Sequence, residues 1–155
     1  MGSVSKAQNP SQSKLIDELN KHFSKNLKFS GFKDSVALYT FSIKLDLEVE
    51  KNKDQMVVYK INDSIGKLIF KDLSFLKTMD YTPLLKDKKQ LSVVIPVGVV
   101  MARYNETEAS PCITIKDLDK KILKLFNVHA GEDLRNDGLL YLPPFVIYVD
   151  KTVYD

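Results

Sequence analysis

The chain has few of the residue types that form covalent cross-links and metal sites. Among its 155 residues, Cys112 is the only cysteine, and His22 and His129 are the only histidines. A single cysteine cannot form an intrachain disulfide or a thiolate metal cluster, and neither histidine stands in a motif such as H-E-x-x-H. We therefore expect no disulfide scaffold, no metal and no cofactor.

Familiar catalytic motifs are missing as well. Ser64 lacks the G-x-S-x-G setting of a nucleophile, and the 6 glycines form no phosphate-binding loop. The one compact acidic cluster, GEDLRND at residues 131–137, does not have the spacing of a calcium-binding loop. A solvated surface loop explains that cluster better, so we predict that the protein is not an enzyme.

Arginine is scarce in a chain that is otherwise rich in basic residues. Of the 23 basic residues, only Arg103 and Arg135 are arginine, although the planar guanidinium reads phosphates and base edges best. The lysines are spread along the chain between acidic residues, and the net charge is only +3. This pattern is typical of a solvated surface, so we expect no nucleic-acid partner.

Long hydrophobic runs do not occur either. No apolar run approaches the roughly 18 residues that a membrane-spanning helix requires, so we expect no membrane span. Hydrophobic residues make up 44% of the chain and charged residues 28%, which is ordinary for a folded domain. A length of 155 residues then predicts one domain, which we place at residues 13–155.

The N-terminal residues give the one indication of cellular location. The stretch SVSKAQ, residues 3–8, is similar to the end of a secretory signal, with a small residue at Ser5 and another at Ala7 before Gln8. A flexible polar tail of a cytosolic protein is the alternative. We expect residues 1–12 to be a disordered remnant of a leader, and the protein to be exported, either periplasmic or associated with the cell surface.

The first half of the chain has clear periodicity in its apolar side chains. The stretch KLIDELNKHF after Ser13, which we take as the helix cap, has one broad apolar face and predicts a helix. Residues 35–49 alternate apolar and polar side chains and predict a long strand. Residues 56–61 predict a second strand, which a short polar loop joins to the first as a hairpin.

The stretch at residues 62–79 predicts one amphipathic helix that lies across the sheet. Asn62 or Asp63 can accept the free N–H groups of its first turn, and Pro83 prevents the helix from continuing far. Gly66 disfavours a helix by about 1 kcal/mol relative to alanine. Either the backbone approaches a strand closely at that glycine, or the position simply tolerates it near the helix start.

The second half predicts two more strands and one more helix. Residues 91–101 form a β-rich run that Pro96 and Gly98 interrupt, residues 114–126 predict an amphipathic helix, and residues 145–149 predict a final strand. The predicted order is αββαβαβ. We therefore expect an α+β domain, with helices packed on one face of a mainly antiparallel sheet.

Residues 36–101 resemble the C-terminal domain of the energy transducer TonB. The similar features are the strand VALYTFSIKLDLEV, its return MVVYKIN, the Ser64-Ile65-Gly66 start of a helix, the Tyr81-Thr82-Pro83 triplet and the strand SVVIPVGVVM. The membrane anchor and proline-rich linker of a full TonB do not occur in these residues, and residues 102–155 add a helix and a strand. The resemblance therefore implies a stand-alone relative in the cell envelope.

The resemblance also implies a way of binding. In that family, an extended segment of an outer-membrane receptor adds to the sheet as a strand. Because proline cannot donate to a ladder, the strand at residues 91–101 is either an edge strand or bulged at Pro96, and we take it as the candidate edge. The alternatives are that Pro96 and Gly98 only blunt that edge, or that the C-terminal strand covers it. The expected contact residues are Val93, Ile95, Val97 and Val99.

The partner expected at that edge is a protein or peptide of the envelope, or a second copy of the chain that pairs through a sheet edge. A charge at Val97 is then expected to weaken association and to leave unfolding nearly unchanged. The other hypothesis is a secreted module with a pocket for a small molecule or peptide between sheet and helices. That pocket would be lined by the aromatic residues Tyr39, Phe41, Tyr59, Tyr141, Phe145 and Tyr148.

Overall fold

The computed structural model describes residues 10–28, 37–49, 55–102, 121, 124, 125 and 139–150. Lys121, Lys124 and Leu125 are helical, and the rest of the helix predicted at residues 114–126 lies outside the described residues. The elements in chain order are α1 (Pro10–Lys25), β1 (Ala37–Val49), β2 (Gln55–Ile61), α2 (Ile65–Ile69), α3 (Phe75–Thr78), α4 (Thr82–Leu85), β3 (Gln90–Ala102), β4 (Leu139–Tyr141) and β5 (Phe145–Asp150).

The strands form one mixed, mainly antiparallel sheet of 5 strands. β1 pairs antiparallel with β2 on one side and with β3 on the other. β4 and β5 both pair with the far side of β3, and they run parallel to it. Helices and a mainly antiparallel sheet together define an α+β fold, which confirms the predicted fold class.

Alternate residues of the strands form the core together with helices α1 to α4. The rings of Phe70, Phe75 and Phe145 surround Phe23 of α1, with centroids 5.3, 5.3 and 5.4 Å away. Burial of a large apolar side chain of this kind stabilises the fold by about 1.5–3 kcal/mol. Because these rings come from α1, from the segment after β2 and from β5, the first and last described elements share one core.

The expectation that residues 91–101 form an edge strand is wrong. β3 pairs with β1 along one side and with β4 and β5 along the other, so it is an interior strand. Of the two alternatives, the one in which the C-terminal strand covers this edge is therefore the correct one. The proposed contact residues are fully buried side chains of the core: Val93, Ile95, Val97 and Val99.

Pro96 fits an interior strand because of where the neighbouring strands end. β4 pairs with β3 at residues 92–94, and β5 pairs with it from residue 97 onward, so Pro96 lies in the interval between them. On the other side Pro96 stands opposite Ser42, whose N–H donates instead to Oδ1 of Asn62 at 2.7 Å. The missing N–H of the proline therefore leaves no break in a ladder.

The single helix predicted at residues 62–79 is two short helices, α2 and α3, with extended backbone between them. Phe70 forms an isolated antiparallel bridge with Leu27, and Lys71 N–H donates to the Asn26 carbonyl at 2.8 Å. The Asp72 side chain accepts the Ser74 N–H at 2.8 Å at the start of α3. Tertiary pairing and this local bond compete with a continuous helix, and they interrupt it.

Two helix boundaries also differ from the sequence-based expectation. α1 begins at Pro10 and not after a cap at Ser13, so residues 10–12 belong to the helix and not to a disordered remnant. The Gln12 side chain donates to the Pro83 carbonyl at 3.3 Å. Pro83 does not only end a helix; it lies in the first turn of the additional helix α4, where a proline ring is compatible with helical backbone.

Asp63 is one of the two predicted capping residues and lies two residues after the end of β2. Its carboxylate accepts the Ile65 N–H at 3.0 Å and pairs with the Lys124 ammonium at 2.5 Å. The Ile65 N–H and the Lys124 side chain hold the pKa of Asp63 below its ordinary value of 3.8. The carboxylate thus stabilises the folded state above that pH, and this contribution is lost as the pH falls through the lower folded-state pKa.

Asp63→Ala is therefore expected to lower the free energy of unfolding by about 1 kcal/mol near neutral pH, because the Ile65 N–H and Lys124 lose their acceptor. Asp63→Asn, which keeps an acceptor oxygen, should lose less. Denaturant unfolding of the three proteins at about pH 7 and about pH 2.5 checks this, since the wild-type advantage should shrink in acid. If the wild type is more stable than Asp63→Ala by the same amount at both pH values, the ionised Asp63 carboxylate is not the source of the stabilisation.

Candidate functional site

β2 lies at one end of the sheet and leaves a strand edge unpaired within the described residues. Among the described strands it pairs with β1 alone. Ser42 of β1 faces β2, because its carbonyl accepts the Asn62 N–H at 3.1 Å, and in an antiparallel pair every second residue faces the partner strand. The same alternation directs the backbone N–H and C=O groups of Val57, Tyr59 and Ile61 away from β1.

A groove runs along this edge, between β2 and the helices α2 and α3. Its volume is about 540 Å³. Lys77 of α3 holds its ammonium 5.9 Å from the centre of the Tyr59 ring, a distance that allows a cation–π contact. We call this site the β2 groove, and its described lining residues are Val57, Val58, Tyr59, Lys60, Ile61, Lys67 and Lys77.

The charge of the β2 groove is of one sign. Lys60, Lys67 and Lys77 are exposed, and no described lining residue is acidic. Asp63 follows the end of β2 closely, but its carboxylate is engaged by Lys124. Positive charge beside a row of backbone groups favours a ligand that offers both carboxylates and a peptide backbone.

Contacts at both ends of β2 hold this edge in place. At the start of the strand, the Gln55 side chain donates to Thr82 Oγ1 at 2.7 Å and accepts the Tyr81 N–H at 3.0 Å. At the other end, Gly66 of α2 lies so close to the sheet that an added Cβ would come within 2.9 Å of both Ile61 and Phe41. The groove walls and the strand edge therefore form one preorganised unit.

Two apolar side chains lie beside the same edge of β2, on the face of the sheet opposite the groove. Met56 and Val58 of β2 are 44% and 45% exposed there. A strand added beside β2 would place alternate side chains over the groove and the intervening ones near this apolar pair. By the same alternation Lys60 lies on this face as well, so the site has a basic helix side and an opposite face with two apolar side chains and one lysine.

The six aromatic residues proposed for a ligand pocket do not come together. Phe41 and Phe145 are buried in the core, whereas Tyr148 is 72% exposed on the opposite face. Tyr39 lines a separate cavity of about 270 Å³, beside Asp63 and the helical residues Lys121 and Lys124. Only Tyr59 lines the β2 groove.

The part of the chain that the structure describes contains no cluster of three or more His, Cys, Asp or Glu side chains suited to a metal ion. His22 stacks on the Phe75 ring with centroids 4.9 Å apart. Cys112, His129 and the acidic stretch at residues 131–137 lie outside the described residues. Among the described helices, none combines the length and the apolar character that crossing a membrane would require.

The sequence predicted the available sheet edge on β3, which is an interior strand, and it did not indicate the two helix lysines beside β2. One signal for the correct edge was present in QMVVYKI, because this strand is short and carries a charged residue at Lys60, as edge strands often do. Nothing local indicates that Lys67 and Lys77 border the same groove. Their meeting depends on the break between α2 and α3, which the tertiary pairing of Phe70 imposes.

No protein family, curated protein or solved structure matches the chain. The resemblance to the TonB C-terminal domain therefore stays a prediction.

Proposed function

We propose that this chain is a non-enzymatic protein-interaction module that binds an extended segment of a partner protein by strand addition at the free edge of β2. The observation that carries the proposal is the outward-facing backbone of Val57, Tyr59 and Ile61 along the β2 groove. This replaces β3, the edge expected from the sequence, with a strand that has a side available within the described residues.

The binding energy in this proposal comes mainly from the backbone. Successive outward residues of a strand are about 6.6–6.8 Å apart, so an extended peptide can match their N–H and C=O groups in register. Main-chain bonds of this kind supply affinity, and pockets for alternate side chains supply selectivity. In the β2 groove the Tyr59 ring and the two helix lysines are the groups available to select side chains.

We propose further that the module works in the cell envelope as a relative of the TonB C-terminal domain. Support comes from the secretory-like stretch at residues 3–8 and from the order of the Ser64-Ile65-Gly66 and Tyr81-Thr82-Pro83 motifs. In that family the added segment belongs to an outer-membrane receptor. Here the docking strand would be β2.

The test uses a neutral heptapeptide that alternates valine with threonine, added to the ¹⁵N-labelled protein. We expect the amide signals of Val57, Tyr59 and Ile61 to shift and their hydrogen exchange to slow, because these N–H groups gain partners. The amides of Met56, Val58 and Lys60 already face β1 and should keep their protection.

The control is the same peptide with every interior nitrogen methylated, which keeps the side chains and removes the backbone donors. Strand addition predicts that this peptide does not bind. Equal binding of the methylated peptide, or shifts confined to residues outside β2 and the groove, would overturn the proposal in favour of a side-chain pocket.

A further inference from the structure

We infer that the segment added to β2 is acidic, with carboxylates at every second position on the side of helices α2 and α3 and apolar residues between them. This inference rests on the proposed function and gives the chemical class of the partner. Lys67 on α2 and Lys77 on α3 carry it, since both line the β2 groove from the helix side.

The two helix lysines lack a carboxylate partner among the described residues. The described ion pairs join Lys44 to Asp46 and Lys124 to Asp63. Lys67 and Lys77 are exposed beside a half-buried tyrosine, Tyr59. A ligand carboxylate at either ammonium therefore gains an ion pair that competes with no described acidic group, in a groove that shields it partly from water.

The period of a strand sets the spacing of the ligand's acidic groups. Side chains on one face of an added strand are two residues and about 6.6–6.8 Å apart. Those on the helix side of β2 meet Lys67, Lys77 and Tyr59. Those on the other side lie toward Met56 and Val58, which are 44% and 45% exposed, with Lys60 next to them on the same face. An alternating acidic and apolar segment matches both sides.

A second copy of this chain fits the edge less well than such a segment. An isologous pairing of β2 with β2 would bring Lys60, Lys67 and Lys77 of both copies to one interface, where like charges oppose association. A nucleic acid also fits less well, because the outward C=O groups of the strand need donors and a phosphate backbone offers only acceptors. A peptide supplies donors and acceptors together.

The experiment compares three heptapeptides that alternate valine with glutamate, with threonine or with lysine. Dissociation constants come from amide shifts of Val57, Tyr59 and Ile61 during titration at low salt. We expect the glutamate peptide to bind about tenfold more tightly than the threonine peptide, and the lysine peptide to bind most weakly. Added salt should reduce the glutamate advantage.

A charge-reversed protein tests whether Lys67 and Lys77 cause that preference. The double variant Lys67→Glu with Lys77→Glu should lose the glutamate preference and bind the lysine peptide more tightly than the wild type does. The matched control is Lys14→Glu with Lys21→Glu on α1, which changes the net charge equally at exposed positions outside the described groove lining. The control should retain the wild-type order of the three peptides.

The possible outcomes distinguish failure of the acidic assignment from failure of strand addition itself. Equal affinity for all three peptides, a preference for lysine, or an unchanged preference in the Lys67/Lys77 variant overturns the acidic assignment and leaves strand addition standing. No binding of any peptide at β2 overturns both. Displacement of the glutamate peptide by oligothymidylate, or concentration-dependent dimerisation through β2, identifies a different occupant and also overturns the inference.

Discussion

Val97→Asp is expected to lower the free energy of unfolding by about 4–5 kcal/mol, a large part of the roughly 5–15 kcal/mol that keeps a domain folded. Val97 is fully buried in β3, where its neighbours across the two ladders are Phe41 of β1 and Phe145 of β5. A carboxylate at that buried position, between two aromatic side chains, must be desolvated or protonated. Circular dichroism with chemical denaturation measures the loss.

The matched control for this variant is Val58→Asp on β2. Val58 is 45% exposed at the sheet edge, so a carboxylate there stays hydrated, and we expect a loss of only about 1 kcal/mol, part of it from Asp46 directly opposite on β1. The sequence alone predicted that a charge at Val97 would leave unfolding nearly unchanged. If the two variants are equally stable, β3 is not interior and the strand order described above is wrong.

Gly66→Val is expected to lower the free energy of unfolding by about 2–3 kcal/mol. A Cβ at this position would lie 2.9 Å from Cγ2 of Ile61 and 2.9 Å from Cε2 of Phe41, and Phe41 is completely buried. Those two side chains pack α2 onto the hairpin, so α2 must move away from the sheet to admit the valine. Denaturant unfolding with a fixed m-value measures the change.

Two further glycine variants make the test specific to close packing. Gly66→Ala introduces the same Cβ without the branched methyls, so its loss should fall between wild type and valine. Gly98 lies in interior strand β3, yet a Cβ there would meet nothing within 4 Å. Gly98→Ala should therefore be neutral or stabilise by up to about 1 kcal/mol. If Gly98→Ala is the more damaging alanine variant, close approach at Gly66 is not the reason for that glycine.

Gly66 also illustrates what could be inferred from the sequence and what could not. The sequence left two explanations for a glycine in the first turn of a helix, and both were consistent with the same residues. The structure decides between them because the deciding distances run to Ile61 in the preceding strand and to Phe41, 25 positions earlier in the chain. A contact of that kind leaves no periodic signal near the glycine itself.

The sequence of β3 contains a pattern that is typical of an interior strand. Its residues are apolar at both parities through Val93, Val94 and Ile95, which is typical of a strand buried on both faces. Pro96 outweighed that signal in the sequence-based interpretation, because a proline usually marks an edge. The interval between β4 and β5 that accommodates the proline comes from residues more than 40 positions later in the chain.

The β2 groove could not have been predicted in the same way. Its two walls come from β2 and from lysines on separate short helices, and the sequence predicted one continuous helix there. In a continuous helix, positions 67 and 77 are ten residues apart and about 15 Å along the axis. The extended backbone at Phe70, fixed by its pairing with Leu27, sets the arrangement that the structure has.

Amino-acid order by itself determined the hairpin of β1 and β2, the amphipathic helix α1, the strand at residues 145–149 and the α+β class. These follow from side-chain period and turn residues, which act over a few neighbouring positions. Only the tertiary structure decided that β3 is interior, that β2 has a free edge within the described strands, and that two lysines border it. The physical reason is that pairing on a strand's second side is made by distant residues, whose position local periodicity does not encode.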